Sequence, residues 1–561
     1  MRQTNDRLVV GLLGGLALLG ALWLRCVWLQ VVAAHRYAAL ALSQHQSAQT
    51  LPARRGPIVD RAGRVLAMSV PAPSIFANAR AVTAKRQVAA QLASLSGVSA
   101  AEIRNRLAQD RGFVWIARQV TPEVMTKLTA LRDRHIGIVE EGKRSYPHGR
   151  LASHLLGCVD IDQRGLEGLE LMFNGVLRGQ PGWRSTWRDA KGQLLIGPWT
   201  AQTKPVDGDT VVVTIDTVIQ QAAEETLAWG IKRYHAKGGS IIIMEPSTGA
   251  ILALANDPSY DPNAPGESPA ERRRNRAITD LFEPGSTFKV VTAAALLEEG
   301  RITPEETIFC ERGAYHTVAR HILHDHQPHG TLSFRDVVAL SSNIGVAKAA
   351  QRLTPEELAG YLQAFGFGKE TGIDLPGEVR GLVSSPARWS KLSPFIIPIG
   401  QEVGVTPMQL AVMTAVVANG GLRVRPYVVD HVETPEGRVV YTSAGAGGHR
   451  VISPATAATL QEILVRAVES GTGQMAKVQG LIAAGKTGTA QKLEPTGRYS
   501  HSRFVASFVG FAPVPDPRLV IVVCIDEPRP VYFGGVVAAP MFKRVVEQLV
   551  SYLGLDRDDV A

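Results

Sequence analysis

Paired cysteines are missing from this chain. Its 561 residues hold four, Cys26, Cys158, Cys310 and Cys524, far apart and without a C-x-x-C. That excludes a disulfide framework and a redox pair; buried free thiols are the expectation, with a Cys158–Cys310 bridge left open. A second long apolar run is missing too. From Leu8 to Leu24 no residue is charged, and beyond Arg25 the chain stays largely apolar to Ala34. That suffices to cross a bilayer, with Arg25 snorkelling near one face. A cleaved signal peptide is the alternative, since Val32-Ala-Ala34 is cleavage-like, but the region is long for one. An uncleaved anchor is expected. Arg2 and Arg7, against Asp6, place the N-terminus in the cytoplasm, although Arg25 and Arg36 blur the charge argument. No later segment can span, so the rest of the chain is expected on one side.

No nucleic-acid module is present. The net charge of +9 is spread along the chain, which suits anionic lipid and cell-wall polymers. The run Arg272-Arg-Arg274 is read as a solvated loop. With 45% hydrophobic and 20% charged residues, the chain has material for several cores and no dominant disordered block.

What is present centres on Glu283-Pro-Gly-Ser-Thr-Phe-Lys289, followed by a Val/Ala/Leu-rich run to Gly300. If Ser286 opens a helix, Lys289 lies on its face one turn on. A serine hydroxyl needs a base to become a nucleophile. A lysine serves if burial and nearby positive charge lower its pKa. The four residues alone are weak evidence, because Ser286 could equally be an N-cap.

Two further motifs follow. Ser341-Ser342-Asn343 sits at a break between two apolar helical stretches. Ser341 offers a proton relay and Asn343 an amide for a substrate carbonyl; a helix cap is the plainer reading. Lys486-Thr487-Gly488-Thr489 follows the small, apolar Ile482-Ala-Ala-Gly485. Such a strand can line a groove, with Gly488 allowing close approach and Lys486, Thr487 and Thr489 suited to a carboxylate. The N–H groups of Ser286 and Thr489 could form an oxyanion hole.

Along the chain, Arg61-Ala-Gly63 reads as a hairpin turn and residues 83–95, 100–110 and 122–135 as helices. Residues 198–208 form a linker. Val211–Asp216 is a strand and residues 217–235 a helix. Gly239–Glu245 and Ala250–Ala255 form a hairpin, and Phe504–Phe511 and Leu519–Asp526 are strands before a last helix over 536–553. Strands at both ends with helices between imply an α+β domain, an antiparallel sheet covered by helices.

The order S-x-x-K, S-x-N, K-T-G resembles the penicillin-interacting serine acyltransferases. Further motifs resemble the class B penicillin-binding proteins: R-G-x-I-x-D-R-x-G-x-x-L-A at Arg55–Ala67, R-x-Y-P at Arg144–Pro147 and G-x-E-G-x-E at Gly165–Glu170 for the pedestal. T-I-D-x-x-I-Q at Thr214–Gln220, R-N-R-A at Arg274–Ala277, V-T-P-x-Q-L at Val405–Leu410 and A-A-P-x-F at Ala538–Phe542 match the transpeptidase domain. The pedestal motifs exclude a plain β-lactamase. The resemblance implies a cytoplasmic tail (1–7), a single N-terminal transmembrane helix (8–34), an elongated α+β pedestal of the dimerisation type (35–205) and a penicillin-binding transpeptidase domain (206–556).

It further implies a peptidoglycan D,D-transpeptidase without cofactor or metal, inhibited by β-lactams, in the inner (plasma) membrane with its catalytic domain in the periplasm. Ser286 attacks the carbonyl between the two D-alanines of a stem peptide, and Lys289 is the base. Ser341 passes the proton to the departing D-Ala. Lys486, Thr487 and Thr489 hold the terminal carboxylate along Gly488, and Asn343 holds the donor amide. An amine of a neighbouring stem resolves the acyl-enzyme. No glycosyltransferase domain precedes the pedestal and no PASTA-like repeat follows Phe542. The implied partners are therefore a polytopic SEDS-type (FtsW-like) glycosyltransferase and other division proteins. The wording around Ser341 and His321–His329 resembles the division (septal) type, with elongation or sporulation types as the alternative. A β-lactam sensor with a dead site is a third reading. Glu402 stands where the family often has a small residue.

Two look-alikes remain. Gly480–Thr487 fits the Walker A spacing, and Leu519–Glu527 mimics Walker B, but Pro495 and Gly497 argue against the helix a phosphate loop must open. His321, His324, His326 and His329 with Asp325, plus Cys310, could ligate a metal, but a polar loop lining the cleft is the expectation.

Overall fold

The computed structural model describes residues 2–37, 46–109, 111–129, 135–188, 194–195, 202–318, 321–443, 447–494 and 496–555. The chain forms two compact units, Met1–Arg54 with Gly179–Asp207, and Arg55–Arg178 with Gly208–Ala561.

In the first unit the helix Arg2–Val27 continues as a π turn over Trp28–Val32. Asn5–Val32 is a 28-residue stretch long and apolar enough to cross a membrane. At 1.5 Å per residue it reaches about 42 Å, against a hydrocarbon core of about 30 Å. Its leucines and valines are exposed all round, as on a lipid-facing helix. Gln46–Leu51 pairs antiparallel with Gly182–Arg188, which also pairs with Leu194–Leu195 and Gln202–Thr203. The expected linker thus contains a short strand at Gln202–Thr203; its residues 198–201 lie outside the described residues.

In the second unit the three pedestal motifs meet. Glu170, fully buried, accepts from Arg55 Nε (2.6 Å), Arg144 Nε (2.6 Å) and the Tyr146 hydroxyl (3.3 Å). Two guanidiniums around one carboxylate leave no isolated charge in the interior, which is what makes the cluster tolerable there. The turn after Ile58–Val59 is the expected one, with Gly63 at φ +79°. Asp60 in that turn accepts from Arg64 Nε (2.6 Å) and the Thr217 hydroxyl (2.6 Å), tying it to the helix Thr217–Arg233. Ile58–Val59 runs parallel to Thr210–Val213, so pedestal strands and strands of the catalytic region share a seven-stranded sheet. A small separate core lies under the helices Lys85–Ser96 and Ala100–Leu107. The helix expected over 122–135 is seen as Pro122–Thr129; residues 130–134, like 110, lie outside the described residues.

The catalytic region is built on a five-stranded antiparallel sheet in the order Ile251–Asp257, Gly238–Met244, Leu519–Asp526, Tyr499–Ala512, Ala484–Leu493. Its central strands read as unbroken apolar runs because both faces are covered. Ile241, Ile243, Ile521, Val523 and Ile525 enter the core beneath Thr217–Arg233 and Ala539–Leu553. Ile242, Met244, Val520 and Val522 enter the opposite core, beneath Pro407–Ala418. All twelve residues of that last helix are buried, so it is the central rod of the helical half, with Lys289–Glu298 and Pro454–Glu469 in the same core. All four cysteines are free thiols, three of them buried, so the Cys158–Cys310 bridge left open above is not formed.

Candidate active site

Ser286 lies in a 3-10 turn, Gly285–Phe288, that runs directly into the helix Lys289–Glu298. It does not cap this helix. It is half-buried, and its hydroxyl makes no hydrogen bond among the described residues. The turn is held by Gly285, whose φ of +55° suits glycine and whose N–H donates to the Gly400 carbonyl (3.1 Å).

Lys289 is fully buried and donates to the Ser341 carbonyl (2.6 Å) and Asn343 Oδ1 (2.7 Å), with Ser341 Oγ at 3.2 Å. Burial pulls its pKa down to about 7, against the opposing pull of the Asp325 charge. A neutral amine has two N–H donors and one lone pair. The two carbonyl-type oxygens take the donors, leaving the lone pair for a hydroxyl proton.

Ser341 sits at φ +65° between the helices Phe334–Ala339 and Asn343–Ala350. The break is the expected one, and a non-glycine residue in the left-handed region costs about 1–2 kcal/mol. Within the motif the capping residue is Ser342, whose Oγ accepts from the Gly345 N–H (2.9 Å). Asn343 is fixed at both ends, since its Nδ2 donates to the His324 carbonyl (2.8 Å).

The histidine loop supplies the support that sequence reasoning did not find. Asp325 accepts from Ser342 Oγ (2.6 Å) and the Ile344 N–H (3.0 Å), pinning the start of the Asn343 helix. Among the described residues no group of three or more His, Cys, Asp or Glu is arranged to hold a metal. His326 packs against Phe533, with ring centroids 4.7 Å apart and the planes tilted by 47°. The only sequence signal for Asp325 was an aspartate amid histidines, which carries no hint of a distant cap.

Lys486-Thr487-Gly488-Thr489 runs through the edge strand Ala484–Leu493, against the Ser286 turn. A strand passes straight through the Walker-like Lys486-Thr487, so no phosphate loop opens a helix there. Lys486 is fully buried; burial first, and then the charge of Lys289, push its pKa well below the ordinary lysine range. Thr487 Oγ1 shares a hydrogen bond with Thr472 Oγ1 (2.7 Å), and Thr489 Oγ1 accepts from the Gly534 N–H (3.0 Å). Thr472 and Gly534 were missed, because neither lies in a recognisable motif. At Gly488 what comes close is the chain itself: a Cβ there would stand 2.3 Å from Ser507 Oγ and 2.8 Å from Thr287 Cγ2.

The structure thus gathers Ser286, Lys289, Ser341, Asn343, Lys486, Thr487, Gly488 and Thr489 onto three adjoining elements. Glu402 lies nearby at φ +57°; its N–H donates to Glu283 Oε1 (2.9 Å), and Ser393 Oγ donates to its carboxylate. Burial raises the Glu283 pKa, and the Tyr499 hydroxyl also donates to that carboxylate (3.1 Å).

A two-sided sheet, a serine–lysine turn against its edge strand and a second serine on the lysine define the penicillin-interacting serine acyltransferases. Comparison with known proteins narrows this. The penicillin-binding protein transpeptidase domain matches residues 239–547 and the penicillin-binding protein dimerisation domain residues 50–213. The chain is 33% identical to the probable peptidoglycan D,D-transpeptidase PenA of Neisseria meningitidis, covering 98% of this chain and 94% of that one. It is 32% identical to stage V sporulation protein D of Bacillus subtilis (99% and 88%) and 31% identical to the peptidoglycan D,D-transpeptidase FtsI of Escherichia coli (95% and 90%). Penicillin-binding protein 3 of Mycobacterium tuberculosis, solved in complex with aztreonam, superposes with a TM-score of 0.70 at 28% identity, covering 91% of this chain and 98% of that one. The chain belongs to the class B penicillin-binding protein family and is a serine-type D-Ala-D-Ala transpeptidase.

Proposed function

We propose that this protein cross-links peptidoglycan stem peptides during septal wall synthesis through an acyl-enzyme on Ser286. The observation that carries the assignment is the buried Lys289 amine, bonded to Ser341 and Asn343 one turn from Ser286. Lys289 takes the Ser286 proton as Oγ attacks the carbonyl between the two D-alanines. The N–H groups of Ser286 and Thr489 receive the oxyanion. Ser341 returns the proton to the departing D-Ala, and an amine of a second stem then displaces Ser286. Lys486, Thr487 and Thr489 hold the terminal carboxylate, beside Gly488, and Asn343 holds the donor amide. A carboxylate bound beside Lys486 would raise its pKa again, opposing the burial that lowers it. β-Lactams acylate Ser286 as substrate mimics.

In this reading residues 8–34 anchor the protein, residues 35–205 serve as pedestal and residues 206–556 catalyse outside the cytoplasm. A polytopic SEDS-type glycosyltransferase and other division proteins supply and organise the glycan strands. FtsI and stage V sporulation protein D are matched at near-equal identity, so the cellular role is tested with the chemistry. Fluorescent penicillin is expected to label wild type and not Ser286→Ala, and cells carrying only Ser286→Ala are expected to form filaments. A labelled variant would overturn the nucleophile, and swelling cells would replace the septal role by elongation.

A further inference from the structure

A small cavity of about 250 Å3 in the second unit shares no residue with the site around Ser286. Lys369, Arg423 and Arg425 line it with His449, against a single carboxylate, Glu370. Three cations against one acid leave the cavity net positive.

Both guanidiniums are positioned by backbone carbonyls rather than by acids. Arg423 Nη1 donates to the carbonyls of Ala364 (3.1 Å) and Gln363 (3.3 Å), at the end of the helix Pro355–Ala364. Arg425 Nε donates to the Gly372 carbonyl (2.6 Å). The other N–H groups of both, and the Lys369 amine, have no acceptor and no ion pair among the described residues. Asp374 feels the Arg425 charge, but it is buried and already accepts from the N–H groups of Val428 (2.6 Å) and Val429 (2.8 Å). The segments that carry the cations are fixed. Gly366 and Gly372, at φ +97° and +82°, bracket Lys369. Glu378 accepts from the N–H groups of Thr371 (2.8 Å) and Gly372 (3.0 Å), and Gln409 Nε2 donates to the Lys369 carbonyl (2.8 Å). Leu422-Arg423 pairs antiparallel with His449-Arg450. A pinned frame lowers the entropy cost of gathering these cations around a ligand.

Volume and donor number say which anion. The cavity is smaller than the about 300 Å3 at which drug-sized sites begin, so it takes a compact group. A carboxylate offers about four lone-pair sites, fewer than the free N–H groups of two guanidiniums and an ammonium. A phosphate brings about two charges and three strong acceptor oxygens, and it suits the forked geometry of arginine. We propose that this cavity binds a phosphate group through Arg423, Arg425 and Lys369, at a site separate from transpeptidation. Free phosphate and the headgroup of an anionic lipid both carry that chemistry.

The test titrates full-length protein, in a phosphate-free detergent, with inorganic phosphate and separately with dihexanoyl phosphatidylglycerol, and follows the melting temperature. Binding raises it along a saturating curve, over the non-saturating rise that any excluded salt gives. Arg425→Ala with Lys369→Ala should raise the half-saturating concentration about tenfold or more, through the loss of charge-assisted hydrogen bonds. Arg423 is left in place because it also holds the end of a helix. Glu370→Gln removes the opposing carboxylate and should lower the half-saturating concentration about twofold or more. Saturation by the lipid at the lower concentration makes a headgroup the source of the phosphate; saturation by inorganic phosphate at the lower concentration makes it a soluble one. No saturating rise with either probe overturns the site. So does a rise that survives Arg425→Ala with Lys369→Ala in protein that melts cooperatively. Should that variant not fold, a half-saturating concentration that Glu370→Gln leaves unmoved or raises overturns the site instead.

Discussion

Lys289 and Lys486 are both fully buried, and neither has a carboxylate partner among the described residues. Desolvation disfavours the charged form of each, and the charge of Lys289 further disfavours that of Lys486. For Lys289 this places titration at about pH 7, where a general base is most useful. The base is the neutral amine, so acylation must rise with pH. The second-order rate constant for penicillin acylation should climb about tenfold per pH unit below pH 7 and level off above it. Asp325 holds the Lys289 pKa up. Asp325→Asn should therefore move the midpoint of that profile to lower pH, with a stability loss of about 1 kcal/mol from the weakened hold on Ser342 and Ile344. A wild-type profile flat from pH 5 to 9 would exclude Lys289 as the base.

The elements of the site were legible in unequal measure, for physical reasons. The serine turn, the break at Ser341 and the edge strand were readable because each combines a local signal, Gly285 or an apolar run, with a fixed spacing. The hairpin Gly238–Met244 and Ile251–Asp257 was readable because a turn at Pro246–Gly249 separates two β-rich runs. What joins the elements was not. Asp325 to Ser342, Thr472 to Thr487, and Gly534 to Thr489 are contacts between distant segments, and no local pattern encodes them. Gly488 illustrates the difference. Its place in the motif suggests close approach of substrate; within the fold its missing side chain also lets Ser507, Thr287 and the Pro284 carbonyl pack against the strand. Gly488→Ala must push the strand from the Ser286 turn. Because a shift near 1 Å can cost about 100-fold in rate, penicillin acylation should fall by about that factor while the chain still melts cooperatively. Acylation within twofold of wild type would mean that the turn and strand tolerate separation.

At the scale of the whole molecule the same rule of edges applies outside the catalytic region. Every strand that ends a sheet must be paired, covered or blunted, because its free N–H and C=O groups otherwise recruit another chain. In the first unit Gly182–Arg188 pairs on one side with Gln46–Leu51 over six residues, Leu51 to Gly182 through Gln46 to Trp187. A truncated form that leaves out the long apolar helix Asn5–Val32 must therefore keep that strand. A chain beginning at Gln46 should run as a monomer in gel filtration. One beginning at Arg55 strips Gly182–Arg188 of its partner, next to a Trp183 that is already 45% exposed, and should self-associate at the same concentration. Both should still take fluorescent penicillin, because Ser286, Lys289, Ser341 and Lys486 all belong to the second unit. If the shorter chain stays monomeric, the strand Gln46–Leu51 is dispensable as an edge guard. If it loses penicillin acylation while remaining folded, the first unit supports the catalytic one in a way that the pairing of these strands does not explain.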